Sequence, residues 1–154
     1  MFCMQTITPF LWFNDNAEEA MDFYMSVFPN SKIITRMPGA NGKASGVAFE
    51  INGQRLMLLN GGPAQKLTES FSLFVTVETQ EEVDELWEKL SEGGQKSVCG
   101  WLKDKFGLSW QIIPSILGKL LSDPDREKAN RAMHAMLGMT KLDIIGLQKA
   151  FDGE

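Results

Sequence analysis

Apolar and polar positions along this chain switch between two periods, and the switches define its elements. Residues 8–13, Thr-Pro-Phe-Leu-Trp-Phe, and 70–77, Ser-Phe-Ser-Leu-Phe-Val-Thr-Val, read as short strands with one wholly apolar face. Each is followed by helical spacing: Ala20, Phe23, Tyr24 and Val27 after Asn16, and Val83, Leu86, Trp87 and Leu90 after Thr79. Asn16 and Thr79 each stand three positions before a Glu, the spacing of a capping box. The Glu18-Glu19 and Glu81-Glu82 pairs read as first-turn charges favoured by the helix dipole. Three short extended runs follow each helix: 32–36, 44–51 and 54–60 after the first, 95–98, 101–105 and 108–113 after the second.

The chain is therefore written twice. Residues 16–24 match 79–87 at a shift of 63, and the final hairpins match at a shift of 54, which aligns Gly53 with Gly107, Met57 with Gln111 and Asn60 with Pro114. The extra length of the first half is assigned to the Pro38-Gly39-Ala40-Asn41-Gly42 loop. The expected class is α+β: tandem βαβββ modules, about 5–63 and 68–115, whose strands form a curved mixed sheet with helices outside. Together they make one domain over 1–122. A helical extension over 123–154 is expected to pack on the same domain or on a dimer partner. Asp123-Pro124-Asp125 supplies its cap, and Met133 and Met136 lie on an apolar stripe that reads as packing surface.

Composition narrows the chemistry. Of 154 residues, 44% are hydrophobic and 23% charged, which suits a soluble globular chain with a proper core. Net charge is −5 with no Lys/Arg run, so nucleic acid is not an expected partner. No apolar run reaches the ~18 residues of a membrane span. The first residues lack a basic segment and an apolar segment, so no signal peptide is expected. Two cysteines, Cys3 and Cys99, make no disulfide framework, which fits a cytoplasmic protein. His134 is the only histidine; it excludes a site built from several imidazoles of one chain and reads as a surface residue. Asn60-Gly61-Gly62-Pro63 is Gly-rich, but a strand follows it rather than the helix of a methyl-donor site, and it reads as the link between modules.

The tandem repeat, with Asp104-Lys105-Phe106-Gly107 before the last strand, resembles the vicinal oxygen chelate superfamily of glyoxalase I, extradiol dioxygenases and bleomycin-resistance proteins. Within it the chain is similar to the PhnB-like branch, often labelled 3-demethylubiquinone-9 3-methyltransferase. The resemblance is carried by Ile7 to Phe13, Ala17-Glu18-Glu19-Ala20 with Phe23-Tyr24, Phe28-Pro29-Asn30-Ser31, Leu59 to Pro63, Cys99 to Gln111 and Leu121 to Asp125. It implies a cup-shaped sheet around a small-molecule pocket, and a homodimer. It also implies where metal-using relatives hold their ion, at positions that look like Thr8, Met57, Ser72 and Gln111 here. Two hydroxyls, a thioether and an amide are a poor set for a divalent cation, so no metal and no cofactor are expected.

Side-chain alternation then sorts the pocket. Thr8, Phe10 and Trp12 share one face, as do Ser72, Phe74 and Thr76, and Ser109, Gln111 and Ile113. A D-x-x-G hairpin favours a three-residue loop with a bulge, which sets Asp104 opposite Leu108 and Trp101 opposite Gln111; a two-residue loop would set Leu102 there instead. The ligand-binding candidates are thus Phe10, Trp12, Phe74 and Trp101 as walls and Thr8, Met57, Ser72 and Gln111 at the implied centre. Asp104 and Lys105 lie near the turn and read as a solvated hairpin tip, with a general-acid role as the alternative. The expected function is small-molecule binding in a metal-free aromatic and polar pocket, and the residues do not decide whether turnover occurs or which ligand binds. The rival readings are a metal-dependent lyase or dioxygenase using groups such as Asp104 or Glu50, a methyltransferase, and a non-catalytic module docking through Met133 and Met136.

Overall fold

The computed structural model describes residues 5–154; Met1 to Met4, including Cys3 and most of the segment read for a leader, lie outside the described residues. The fold is α+β, with two βαβββ modules followed by C-terminal helices, and the strands form two mixed four-stranded sheets. The chain divides into two compact units, 1–67 and 68–154, one for each module.

In the first unit the strand order is β1-β4-β3-β2, from β1 (Phe10–Phe13), β2 (Ser31–Pro38), β3 (Ala44–Ile51) and β4 (Gln54–Asn60). β1 runs parallel to β4, and the other ladders are antiparallel. The β3–β4 turn is the expected two-residue Asn52-Gly53 type, closed by the Ile51–Gln54 pair. Helix α1 (Ala17–Val27) buries Ala20, Met21, Tyr24 and Val27, and Leu11, Phe13, Phe49, Leu56 and Leu58 are likewise buried. The extra loop holds a short 3-10 turn at Ala40–Gly42.

One expected cap differs. The Asn16 side chain makes no capping bond. Instead Asn60 of β4 accepts from the Ala17 N–H at 2.9 Å and donates to the Ala44 carbonyl at 2.9 Å. Glu18 is drawn sideways as well, accepting from the Ala44 N–H at 3.1 Å and pairing with Arg36. A tertiary partner thus replaces the local cap that the sequence offers.

The second unit repeats the order as β5-β8-β7-β6: β5 (Ser72–Val77), β6 (Gln95–Lys96), β7 (Trp101–Lys103) and β8 (Ser109–Pro114). Helix α2 (Gln80–Ser91) has the expected capping box, with Thr79 accepting from the Glu82 N–H and Glu82 accepting from the Thr79 N–H. Three helices follow: α3 (Ser115–Leu121), α4 (Arg126–Leu137) and α5 (Ile144–Asp152). The sequence pattern does not single out α3. The cap of α4 is Asp125 rather than Asp123, which instead folds back onto the Asp125 N–H.

These helices bury one face of the sheet end. Leu117, Leu120, Ala132, Leu142, Leu147 and Phe151 cluster on Ile113, with Met136 and Met139 packed against them. Met133 and His134 stay on the exposed side of α4. The Gln80 amide ties the extension down. It donates to the Leu142 carbonyl at 3.0 Å and accepts from the Ile144 N–H at 2.9 Å.

Candidate functional site

The last hairpin organises the second module's open face. Its loop is the three-residue type: the Asp104 N–H bonds the Leu108 carbonyl, the Gly107 N–H bonds the Asp104 carbonyl, and Gly107 sits at φ 90°. That register sets Trp101 opposite Gln111 and Lys103 opposite Ser109.

Asp104 corrects the expectation of a solvated tip. It is 2% exposed, and its carboxylate accepts from the N–H groups of Phe106 (2.9 Å) and Leu108 (3.1 Å) and from Trp110 Nε1 (2.9 Å). The acid of the D-x-x-G motif is therefore a turn organiser that also anchors the buried indole beneath the sheet. Glu50, the other acid considered for a metal, pairs with Lys32 at 3.3 Å.

Ladder registers place the remaining side chains in rows. Ser72 partners Ser109, Ser109 partners Lys103, and Lys103 partners Gln95, so one polar row crosses all four strands on a single face. The next row is Phe74, Gln111 and Trp101. Phe74 is 59% exposed, and Trp101 and Gln111 are half-buried. Gln111 Nε2 donates to Ser72 Oγ at 2.9 Å, which ties the two rows together. A cavity of ≈ 430 Å³ opens beside this face, lined by Trp101, Ser97, Gln95, Lys103, Ser109 and Glu69 among others. That volume is in the range of small-molecule sites. Lys103 is paired with Glu69, and the hydrogen bond from Lys103 holds the Glu69 carboxyl below the usual range. Alternation puts Ser109 on the face of Gln111, but its row with Lys103 and Gln95 emerges only from the register across the strands.

The first module presents different chemistry at equivalent positions. Phe10 partners Met57, which partners Ala48, and Trp12 partners Leu59, which partners Gly46: two apolar rows. Phe10 is 55% exposed. Trp12 has a local task, because its Nε1 donates to the Gly62 carbonyl at 2.8 Å and its ring lies on Gly61, where an added Cβ would stand 2.3 Å from the ring. The Gly61-Gly62 pair thus accommodates an indole. Thr8 lies two residues before Phe10.

The four positions at which the resemblance implies a metal therefore hold Thr8 and Met57 in one module and the bonded Ser72 and Gln111 in the other. This donor set does not fit a divalent cation: it carries no charge and no imidazole, and the Ser72 hydroxyl is already engaged by the Gln111 amide. Among the described residues no group of three His, Cys, Asp or Glu side chains is placed to hold an ion. Among them, too, no helix is long and apolar enough to cross a membrane.

Comparison with known proteins agrees with this architecture. Residues 5–113 match the family model described as 3-demethylubiquinone-9 3-methyltransferase, a match that ends within β8. A PhnB protein from Bacillus cereus carrying the same methyltransferase label is 34% identical, with a TM-score of 0.66, over 72% of this chain and 100% of its own. The protein PA1353 from Pseudomonas aeruginosa shares the fold at 21% identity and a TM-score of 0.61, over 72% of this chain and 98% of its own. The fosfomycin resistance protein FosX from Listeria monocytogenes does so at 19% identity and a TM-score of 0.52, over 74% of this chain and 95% of its own. No curated protein matches. The chain belongs to the PhnB-like family labelled 3-demethylubiquinone-9 3-methyltransferase.

Proposed function

We propose that the chain binds a small, planar organic molecule on the open face of its second module, through its own side chains rather than a metal. The observation that carries this reading is the Gln111–Ser72 pair, set between exposed Phe74 and half-buried Trp101 beside the ≈ 430 Å³ cavity. Aromatic walls with a few convergent polar groups are the usual make-up of a small-molecule site. No protein donor reaches the Gln111 carbonyl oxygen among the described residues, so that oxygen is available to a ligand donor. Thr8, Phe10, Trp12 and Met57 are proposed as the ligand-binding residues of the first module, where Phe10 and Met57 offer an apolar surface. Methyl transfer is left out of the proposal, because the Gly-rich segment that could have cradled a donor accommodates Trp12.

Crystals soaked with benzamide and 1,4-naphthoquinone test the reading. Density against Trp101 and Gln111, lost in Gln111→Leu, supports it; fragments bound only elsewhere would sink it. The homodimer that the resemblance implies is part of the same proposal, and light scattering should return twice the 17.2 kDa chain mass. A cytoplasmic location, which the lack of a cysteine framework favours, completes it.

A further inference from the structure

Three groups beside the cavity are not explained by a neutral ligand. Ser109 is 1% exposed, and its hydroxyl is the one buried side-chain polar atom without a hydrogen-bond partner among the described residues. A buried, unpaired hydroxyl is costly, so its persistence calls for a reason. Lys103 stands directly opposite Ser109 in the ladder and is two-thirds buried in its side chain. Among the described residues its ion-pair partner is Glu69, whose side chain is two-thirds exposed and comes from the segment before β5. Lys103, Ser109 and Glu69 all line the same cavity.

We propose that this cavity receives the oxoanion end of its ligand, a carboxylate or a phosphate-like group, on Lys103 Nζ and Ser109 Oγ, and that Glu69 is an internal carboxylate holding that place until the ligand displaces it. The proposal rests on the small-molecule reading of the second module's face and adds the ligand's charge. Two features of the site fit a carboxylate being exchanged for another. The Glu69–Lys103 pair is at the surface, where ion pairs are weak and readily broken. The ligand's second oxygen would satisfy the hydroxyl that the protein leaves unpaired, as charge-assisted hydrogen bonds favour. Trp101, on the same strand β7, would then stack on the ligand's planar body while the row of Lys103 and Ser109 holds its anionic end.

The test is an amide NMR titration with benzoate, phenylphosphonate and the uncharged isostere benzamide, on wild type and three variants. Benzoate or phenylphosphonate should shift the amides of Trp101, Lys103 and Ser109 and bind more tightly than benzamide. Glu69→Gln should tighten anion binding roughly two- to fivefold by removing the competitor. Lys103→Met should weaken it more than about tenfold while benzamide is unaffected. Ser109→Ala should weaken anion binding without lowering Tm, because the hydroxyl contributes no bond to the fold. If benzamide and benzoate bind this face equally and neither Glu69→Gln nor Lys103→Met changes either, the anion inference is overturned while the small-molecule reading stands. If no probe shifts these amides, both are overturned. Weaker benzoate binding in Glu69→Gln would also overturn the inference, since Glu69 would then be helping the ligand instead of occupying its place.

Discussion

Replacing Asp104 by Asn changes one oxygen to an amide nitrogen in a site sealed from water. The carboxylate accepts hydrogen bonds from Phe106 N–H, Leu108 N–H and Trp110 Nε1. An Asn can keep the two backbone bonds with its remaining oxygen, but its NH₂ then faces the indole N–H, donor against donor. One charge-assisted bond is lost and an amide donor is set against the buried indole donor, which costs about 2–4 kcal/mol. For a chain of this size a loss near 3 kcal/mol lowers Tm by roughly 6–12 °C. Trp110→Phe removes the donor and part of a ring that is 1% exposed, and should cost about 2–4 kcal/mol alone. In the double variant the donor conflict disappears, so its loss should fall short of the sum of the singles by at least about 1 kcal/mol. Urea unfolding followed by far-UV circular dichroism measures all three. Additive losses within about 0.5 kcal/mol, or a neutral Asp104→Asn, would refute the assignment of Asp104 as the indole's buried anchor.

Other perturbations have equally definite outcomes. Gln80→Ala removes the clamp on Leu142 and Ile144 and should cost about 1–3 kcal/mol, with faster protease cleavage near residue 140 as the readout. Gly61→Ala must push the Trp12 ring from its place, costing roughly 1–3 kcal/mol and shifting tryptophan emission to the red; unchanged emission would contradict the contact. Thr79→Ala should cost about 1 kcal/mol through loss of the α2 cap, measured by urea unfolding. The N–H groups of Glu78 and Thr79 hold the Glu82 carboxyl below its ordinary value. Its contribution is therefore present above the unfolded-state value and lost as pH falls through the depressed folded one, so Glu82→Gln should flatten the acid limb of the stability curve below about pH 4.

The fold is legible in the sequence where its signals are local. β3 and β4 have the bounds that alternation predicts, and the D-x-x-G motif gives the Trp101–Gln111 register from four residues of turn chemistry. The Thr79 cap is also a local signal. What the sequence hides depends on distant partners. Asn16 reads as the α1 cap, but Asn60 does that work from the far end of β4. Asp104 reads as a charge on a hairpin tip, since nothing in its neighbourhood shows that Trp110 Nε1 will turn back to meet it. α3 follows Pro114 with an apolar face set by the α4 and α5 helices, not by a strong period of its own. At the site, the resemblance sets Ser72 and Gln111 at the centre of the pocket, and the two are hydrogen-bonded to each other. Ser109 and Lys103 do not stand out, because a serine and a lysine at those positions are ordinary until two ladders put them side by side.

The side-chain amide of Gln111 reports most directly on the central claim. Its Nε2 resonances can be followed while wild-type protein is titrated in one experiment with benzamide and with Mn²⁺. Saturable shifts with the organic probe, and no selective broadening at substoichiometric Mn²⁺, are predicted for a pocket that binds an organic ligand without a metal. An amide silent to the organic probe but broadened by the first traces of Mn²⁺ would contradict it.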